Sequence, residues 1–272
     1  MPAAFPRLAA IDLDGTLLRS DRSVSERSRA AIASARRAGI AVVVATARSP
    51  RGAVPLAQEA GIGGLAICAN GATVYDLDAS RIVRHTPLAT ATAHELVRGL
   101  RRRFPEIVFG WEHELRFGSE PAYEALRQPQ WWPRPEDAYE PCDPLEWTLP
   151  MTKLLARLPE ADLEHLLAVA AQLAGDDAST TLAGDAFVEL AAPGVGKDIA
   201  LARLAAERGL GAEDVVSFGD HLTDRAMVAW AGHGVAVANA HPTVIAVADE
   251  VCVSNDEDGV AIVLERLVLA LR

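Results

Sequence analysis

Residues 7–18 read Arg-Leu-Ala-Ala-Ile-Asp-Leu-Asp-Gly-Thr-Leu-Leu, a short apolar run that ends in an acidic turn. Such a run predicts a strand over Arg7 to Asp12, buried on both faces. Asp12 and Asp14, two residues apart, point the same way where a strand frays into a turn, and open α/β sheets collect their ligands at the carboxyl ends of strands. Gly15 permits a sharp turn that leaves nearby N–H groups facing an anion. The plainer reading of the same residues is a polar loop cap, since Asp and Gly are common in turns. A second continuous run, Val42 to Ala45 (VVVA), follows a predicted helix with Ser25 as N-cap, Glu26 in the first turn, an Ala/Arg body through Ala38 and a left-handed stop at Gly39. Strand, helix and strand make a βαβ unit and imply a parallel sheet.

Further on, a strand is predicted at Leu65 to Cys68, and Asn70-Gly71 turns the chain into Thr73 to Tyr75 and then Arg81 to His85, read as a small β-flap. From about Pro87 to Pro193 the pattern changes. It gives a helix at Ala91 to Arg103, a strand at Ile107 to Trp111, a Pro/Trp-rich stretch from Gln128 to Pro144, and a strand at Met151 to Leu158. A helix at Ala161 to Ala174 and strands at Thr180 to Ala183 and Ala186 to Ala191 complete an α+β insertion. After Gly194 and Gly196 the α/β rhythm resumes: helix Asp198 to Arg208, strand Asp214 to Phe218, helix Asp224 to Ala231, strand Val235 to Val237 and helix Gly259 to Leu271. The expected fold is therefore α/β, a doubly wound, Rossmann-like parallel-sheet core from residues 1–86 and 192–272, interrupted by an α+β domain at 87–191.

With 272 residues, half of them apolar and 23% charged, the chain can build one large or two modest cores. Lys and Arg number 26 against 37 Asp and Glu, and the formal charge of -11 has the wrong sign for a protein that neutralises phosphate backbones. Nucleic acid is thus not an expected partner. No apolar run reaches the roughly 18 residues that span a bilayer, and MPAAFPRLAA lacks the apolar segment of a secretory signal. Cys68, Cys142 and Cys252 are odd in number and far apart, which fits neither a disulfide framework nor zinc-ligand spacing. The expectation is a cytoplasmic protein, off the membrane, with three structural thiols.

A second acidic group, Gly219-Asp220 with Asp224 four residues later, follows the apolar run Val215 to Phe218. Asp220 would stand at another strand's carboxyl end, and carboxylates from two distant segments could converge. Their repulsion calls for a cation, and an all-oxygen donor set suits Mg2+. Asp224 is equally readable as a helix cap. Thr46, just after VVVA, could donate its hydroxyl to a phosphate oxygen, and Lys197, at a helix start, could supply positive charge. An ordinary strand-end threonine and a solvated lysine are the plainer readings.

Asp12 to Thr16 with Leu17-Leu18, Thr46-Ala47-Arg48, Asn70-Gly71-Ala72, Lys197 and Gly219-Asp220 through Asp224 resemble, in order, the four motifs of the haloacid dehalogenase-like hydrolases. The tails Gly234 to Ala240 and Ser254 to Val260 look like the Cof-type, sugar-phosphatase-like branch. The resemblance implies a phosphoric monoester hydrolase in which Asp12 is the nucleophile, forming an aspartyl-phosphate, and Asp14 the acid and later the base. It implies Mg2+ on the Asp12 carboxylate, the Asp14 carbonyl and Asp220, with Asp224 a ligand or just behind. Gly15, Thr46, Ala47, Arg48, Lys197 and Asn239 would hold phosphate. Thr223 stands where the branch usually has Asn, Ala47 where it usually has Gly, and His221 occupies the loop between the acids.

By the same resemblance the insertion is a cap that selects the leaving group. Trp131-Trp132 could stack on a sugar or base or simply anchor a loop. Arg98, Arg101, Arg102 and Arg103 read as a solvated helix face before an anion site. The expected partner is a small phosphorylated metabolite, a sugar phosphate before others, bound by a monomer or homodimer. The alternatives are a phosphomutase using the same Asp pair and a catalytically dead phosphometabolite-binding protein.

Overall fold

In the computed structural model, which describes residues 5–126, 139–159, 162–183 and 187–271, strand β1 (Leu8–Ile11) lies inside an eight-stranded sheet. On one side it pairs in parallel with β2 (Ala41–Ala45), which pairs in parallel with β3 (Leu65–Cys68). On the other it pairs in parallel with β12 (Val215–Gly219), followed by β13 (His233–Val237) and β14 (Glu250–Cys252), also parallel. The chain therefore winds outward in both directions from β1 and β12, and the two strand ends flank a topological switch point, where such sheets leave a crevice. Register sets Ile11 beside both Phe218 and Val44. The residues that follow, Asp12, Asp220 and the segment after β2, emerge at one edge of the sheet.

Both sheet faces are covered. Helices α1 (Glu26–Arg37), α2 (Pro50–Glu59), α8 (Pro242–Ile245) and α9 (Gly259–Leu269) bring Ile32, Ala53, Val244 and Leu264 into one core with Ile11 and Val44. Helices α6 (Lys197–Glu207) and α7 (Arg225–Trp230) bring Leu201, Leu204 and Met227 onto Leu8, Ala10 and Val43. Burial on both faces explains why β1 and β2 read as unbroken apolar runs rather than alternating ones. Ser25 caps α1 as expected, its hydroxyl accepting from Ser28 N, and Gly39 takes φ +90°.

Three features of this unit depart from the sequence expectation. Strands β4 (Thr73–Asp76) and β5 (Arg81–His85) form no separate flap: β4 pairs antiparallel with β3, β5 lies beyond it, and both extend the main sheet. Helix α2 is hidden because Pro50 and Pro55 read as breakers; Pro50 sits at the first helical turn, where a missing N–H costs nothing. The third is β14, only three residues long and half exposed, which has no apolar period to announce it.

The chain folds as two compact units, one of Met1–Arg84 and Gly196–Arg272 and the other of His85–Val195. The second unit is a six-stranded sheet ordered β10 (Ser179–Ala183), β11 (Phe187–Ala191), β9 (Lys153–Arg157), β6 (Val108–His113), β7 (Arg116–Ser119) and β8 (Tyr139–Pro141). All neighbours are antiparallel except β7 and β8. Helices α3 (Thr90–Arg103) and α5 (Leu163–Ala174) lay Leu96, Val97, Leu100 and Leu166 on Phe109, Trp111, Leu154 and Val188. The opposite face carries Phe117, Leu155 and Tyr123 of the short helix α4 (Pro121–Ala125), and a buried ion pair, Lys153 Nζ to Glu189 Oε1 at 2.5 Å. The hairpin from β6 to β7 has no sequence signature because its turn places a glutamate, Glu114, at φ +54°, a position that usually signals itself with Gly or Asn.

Arg101 is not part of a solvated face. It bonds Glu120 and Asp143, both at 2.7 Å, and ties α3 to the loops beyond β7. Trp131 and Trp132 lie outside the described residues. Cys68 is buried, and Cys142 and Cys252 are half-buried.

Ile32, fully buried among Ile11, Val44 and Leu264, gives a direct check on this packing. Ile32→Ala should lower the unfolding free energy by about 2–5 kcal/mol in denaturant titrations. Leu269→Ala on the neighbouring helix, at a side chain 64% exposed, should change it by no more than about 0.5 kcal/mol.

Candidate active site

Asp12 continues β1 by one step, its N–H donating to Phe218 O at 3.1 Å, and its carboxylate is buried. The chain then turns over Leu13–Leu17, closed by Leu17 N to Asp12 O and Leu18 N to Leu13 O. Gly15 takes φ +78° in this turn, and a Cβ there would run into the Asp220 carboxylate, so both conformation and space demand glycine. Thr16 Oγ1 donates to Asp220 Oδ1 at 2.6 Å, locking this turn to the one that follows β12.

That second turn is built on Asp224. Its Oδ2 accepts from Asp220 N at 3.1 Å and His221 N at 2.9 Å, in the turn before it, and makes no side-chain cap bond to the helix that follows, so the helix-cap reading of Asp224 does not hold. Its Oδ1 accepts from Lys197 Nζ at 2.6 Å, and the same ammonium donates to Asp12 Oδ1 at 2.7 Å. Lys197 opens α6 and is only 2% exposed. Thr223 Oγ1 faces His221 Nδ1 at 3.4 Å and shares in this loop.

Asp12, Asp220 and Asp224 each offer a carboxylate oxygen, and these oxygens lie within 4.8 Å of one another. Burial raises the Asp12 carboxyl well above the ordinary range, and Asp224 adds to the rise against the pull of Lys197. Burial likewise pushes Asp220 up to about 6, partly opposed by the Thr16 hydrogen bond. For Lys197, burial works to lower the ammonium's pKa, but Asp12 and Asp224 overrule it and the pKa rises. Three carboxylates share one ammonium, which leaves the cluster short of positive charge. A hard divalent cation with oxygen ligands fits that deficit. Because Asp224 already accepts three N–H bonds, Asp12 and Asp220 are the carboxylates better placed to meet such an ion.

The segment after β2 supplies the other wall. Thr46 is buried, its N–H donating to Ile67 O at 2.9 Å, and its Oγ1 accepts from Arg48 N at 3.2 Å. Ala47 lies between them in the same turn. The Arg48 guanidinium does not stand alone: Nε donates to Asp14 Oδ2 at 2.6 Å and Nη2 to Asp14 Oδ1. Ala69 N and Asn70 N donate to Arg48 O at 2.7 Å and Thr46 O at 3.0 Å. Ala69, Asn70 and Gly71 all have positive φ, and Gly71 abuts Gly196, where a Cβ would collide with the carbonyl oxygen. The Asn70-Gly71 turn thus lets the helix bearing Lys197 approach.

Asn239 spends its side chain on the protein. Nδ2 donates to Gly15 O at 2.7 Å, and Oδ1 accepts from Asn255 N at 3.0 Å. Asn255 Nδ2 reaches Leu18 O at 2.8 Å, Arg19 forks onto Asp258, and Ser20 bonds Asp256. This stitching of residues 15–20 to 239–258 has no signal in the sequence. Asn and Asp runs read as turn formers, and nothing local says which distant carbonyl an amide will meet.

Residues 9–264 match the family model described as haloacid dehalogenase-like hydrolase. The chain is 29% identical to the 5-amino-6-(5-phospho-D-ribitylamino)uracil phosphatase YcsE of Bacillus subtilis (strain 168), over 97% of this chain and 96% of that one. It is 27% identical to the pyridoxal phosphate phosphatase YbhA of Escherichia coli (strain K12), over 94% and 96%. A crystal structure of a haloacid dehalogenase-like hydrolase from Bacteroides thetaiotaomicron superposes with a TM-score of 0.78 at 27% identity, covering 96% of this chain and 99% of that one. No helix among the described residues is long and apolar enough to cross a membrane. With the family model spanning nearly the whole chain, the protein is an enzyme that belongs to the haloacid dehalogenase-like hydrolases.

Proposed function

We propose that this hydrolase is a Mg2+-dependent phosphatase that frees phosphate from a small phosphorylated metabolite, with sugar phosphates the leading class, through an aspartyl-phosphate on Asp12. One observation carries the reading: a buried carboxylate, Asp12, held at Oδ1 by a buried ammonium at 2.7 Å, within reach of Asp220 and Asp224 and two residues from Asp14. Relatives named as phosphatases of 5-amino-6-(5-phospho-D-ribitylamino)uracil and of pyridoxal phosphate support a phosphomonoester substrate.

Lys197 fixes one Asp12 oxygen, and the other attacks phosphorus. The bond from phosphorus to the leaving oxygen breaks with its electron pair on that oxygen, which takes a proton from the Asp14 carboxyl group. Water then attacks the phosphorus of the aspartyl-phosphate, its proton passes to Asp14, and the Asp12–phosphorus bond breaks to release inorganic phosphate. Thr46, Lys197 and the backbone N–H groups of the Gly15 turn hold the phosphoryl oxygens while charge develops on them. The Asp12 and Asp220 carboxylates and the Asp14 carbonyl would hold Mg2+, with Asp224 bracing the loop behind. When bound, the ion would offset carboxylate repulsion and draw charge from the phosphoryl oxygens.

An open hollow of ≈ 390 Å³ beside Asp14 and Gly15, bordered by Ser20, Ser254 and Asp256, supports a polyhydroxylated leaving group, because hydroxyl and carboxylate oxygens accept hydrogen bonds from sugar hydroxyls. In this reading the inserted unit, His85–Val195, selects the leaving group. Phosphate release in step with substrate loss separates hydrolysis from a phosphomutase, and any turnover rejects a dead binding protein.

Asp12→Asn should slow phosphate release by at least about a thousandfold, roughly 4 kcal/mol of barrier, with an unfolding midpoint no lower than the parent's. Release within about tenfold of the parent, a difference of roughly 1.4 kcal/mol, would rule out covalent catalysis.

Exhaustive chelation should abolish phosphate release and added Mg2+ restore it; full activity in chelator would remove the metal from the mechanism.

Without metal, the raised Asp220 carboxyl binds a proton in the folded state that the unfolded chain has given up. Its stabilising effect is complete below 3.8 and is lost as pH rises through about 6. Melting curves of chelated protein should therefore fall in midpoint across this window, and Mg2+ should raise the midpoint more above it than below it.

A further inference from the structure

Arg48 and Asp14 meet edge to edge. Arg48 Nε and Nη2 donate to the two oxygens of one carboxylate, Nε at 2.6 Å. The two partners are unequal in freedom. The guanidinium side chain is 16% exposed and the carboxylate 51%, so the cation is the anchored end and the acid the end that reaches solvent. Arg48 is anchored through its backbone as well. Its N–H bonds Thr46 Oγ1, its carbonyl accepts from Ala69 N at 2.7 Å, and the buried Ser49 and Pro50 start α2 immediately afterwards.

A half-exposed aspartate without a partner samples several rotamers, each moving its oxygens away from a reacting atom, whereas proton transfer needs hydrogen-bond reach. A planar fork on both oxygens selects one rotamer, which a point charge such as Lys does less well. The guanidinium edge that would grip a phosphate in the same bidentate manner is already occupied. We infer that Arg48 is a positioning residue for the Asp14 carboxylate and not a ligand of the phosphoryl group. This rests on the phosphatase reading above, in which Asp14 moves the protons.

The two roles separate with an aryl ester. p-Nitrophenolate is a weakly basic leaving group that departs without a proton, so the first half-reaction on p-nitrophenyl phosphate makes little use of Asp14. The second, attack of water on the aspartyl-phosphate, still needs it. With enzyme in excess over substrate, p-nitrophenolate and inorganic phosphate are followed separately in the Mg2+-loaded parent, Arg48→Gln and Arg48→Lys. Arg48→Gln should leave p-nitrophenolate release within about threefold of the parent while slowing phosphate release about a hundredfold, the scale of general acid–base catalysis. Arg48→Lys, which keeps charge but not the fork, should fall between, and steady-state kcat/KM, which reports binding and the first half-reaction alone, should stay within about threefold for both variants.

Equal slowing of the two half-reactions, slowing of neither, or a KM raised about tenfold with loss of the first step would each overturn the inference, the last by making Arg48 a phosphate ligand. A parent that releases no phosphate, or an Asp12→Asn variant that still does, overturns the phosphatase mechanism itself. An active parent with an inactive Asp12→Asn confines any such failure to Arg48.

Discussion

The ammonium of Lys197, buried between Asp12 and Asp224, is the interaction on which the rest of the catalytic unit depends. Without it both side chains would be buried with no cation beside them, and a buried charge that loses its partner keeps its full desolvation cost. The pairing also ties three distant pieces of chain together: the end of β1, the start of α6 and the turn after β12. Each piece has its own device for getting there. β1 and β12 are parallel neighbours in register, and α6 reaches the sheet end because Gly71 presents no side chain to the Gly196 carbonyl.

One ammonium does not balance three carboxylates, and burial first, with repulsion from the neighbouring carboxylates second, draws Asp12 and Asp220 upward. Such a cluster is not built for stability. Replacing these acids by apolar residues would relieve repulsion and remove buried charge, and the proposed mechanism is what gives their presence a reason. The same asymmetry appears in the loop after β1. Gly15, Leu18, Arg19 and Ser20 are held by Asn239, Asn255, Asp258 and Asp256, a network that fixes a short polar turn against motion. Groups that transfer protons or hold an ion lose rate with small displacements, which gives the stitching a catalytic rationale.

In the inserted unit the two sheet faces are built differently. One is sealed by α3 and α5 with aliphatic and aromatic side chains, and the other mixes Phe117, Tyr123 and Leu155 with the Lys153–Glu189 pair. Arg101 stands apart from it, spent on Glu120 and Asp143 within the unit's own architecture.

Much of the catalytic unit is legible in the sequence because its signals are local. An unbroken apolar run followed by Asp-Leu-Asp-Gly-Thr needs only burial on both faces and a glycine turn to place two acids at a strand end, and the run before Gly219-Asp220 repeats the logic. Ser25 and Gly39 mark the ends of α1 by capping chemistry that involves a few neighbouring residues. Prolines hide α2, a glutamate at positive φ hides the β6–β7 hairpin, and β14 is too short to show a period. What tertiary structure alone decides is which of these groups meet. Arg48 lies against Asp14, 34 residues away, Asn239 against Gly15, 224 away, and Arg101 against Asp143, 42 away. Periodicity and capping report how a segment treats its own backbone and one neighbouring layer. A hydrogen bond between side chains on separate loops depends instead on strand order and register, which are properties of the whole sheet.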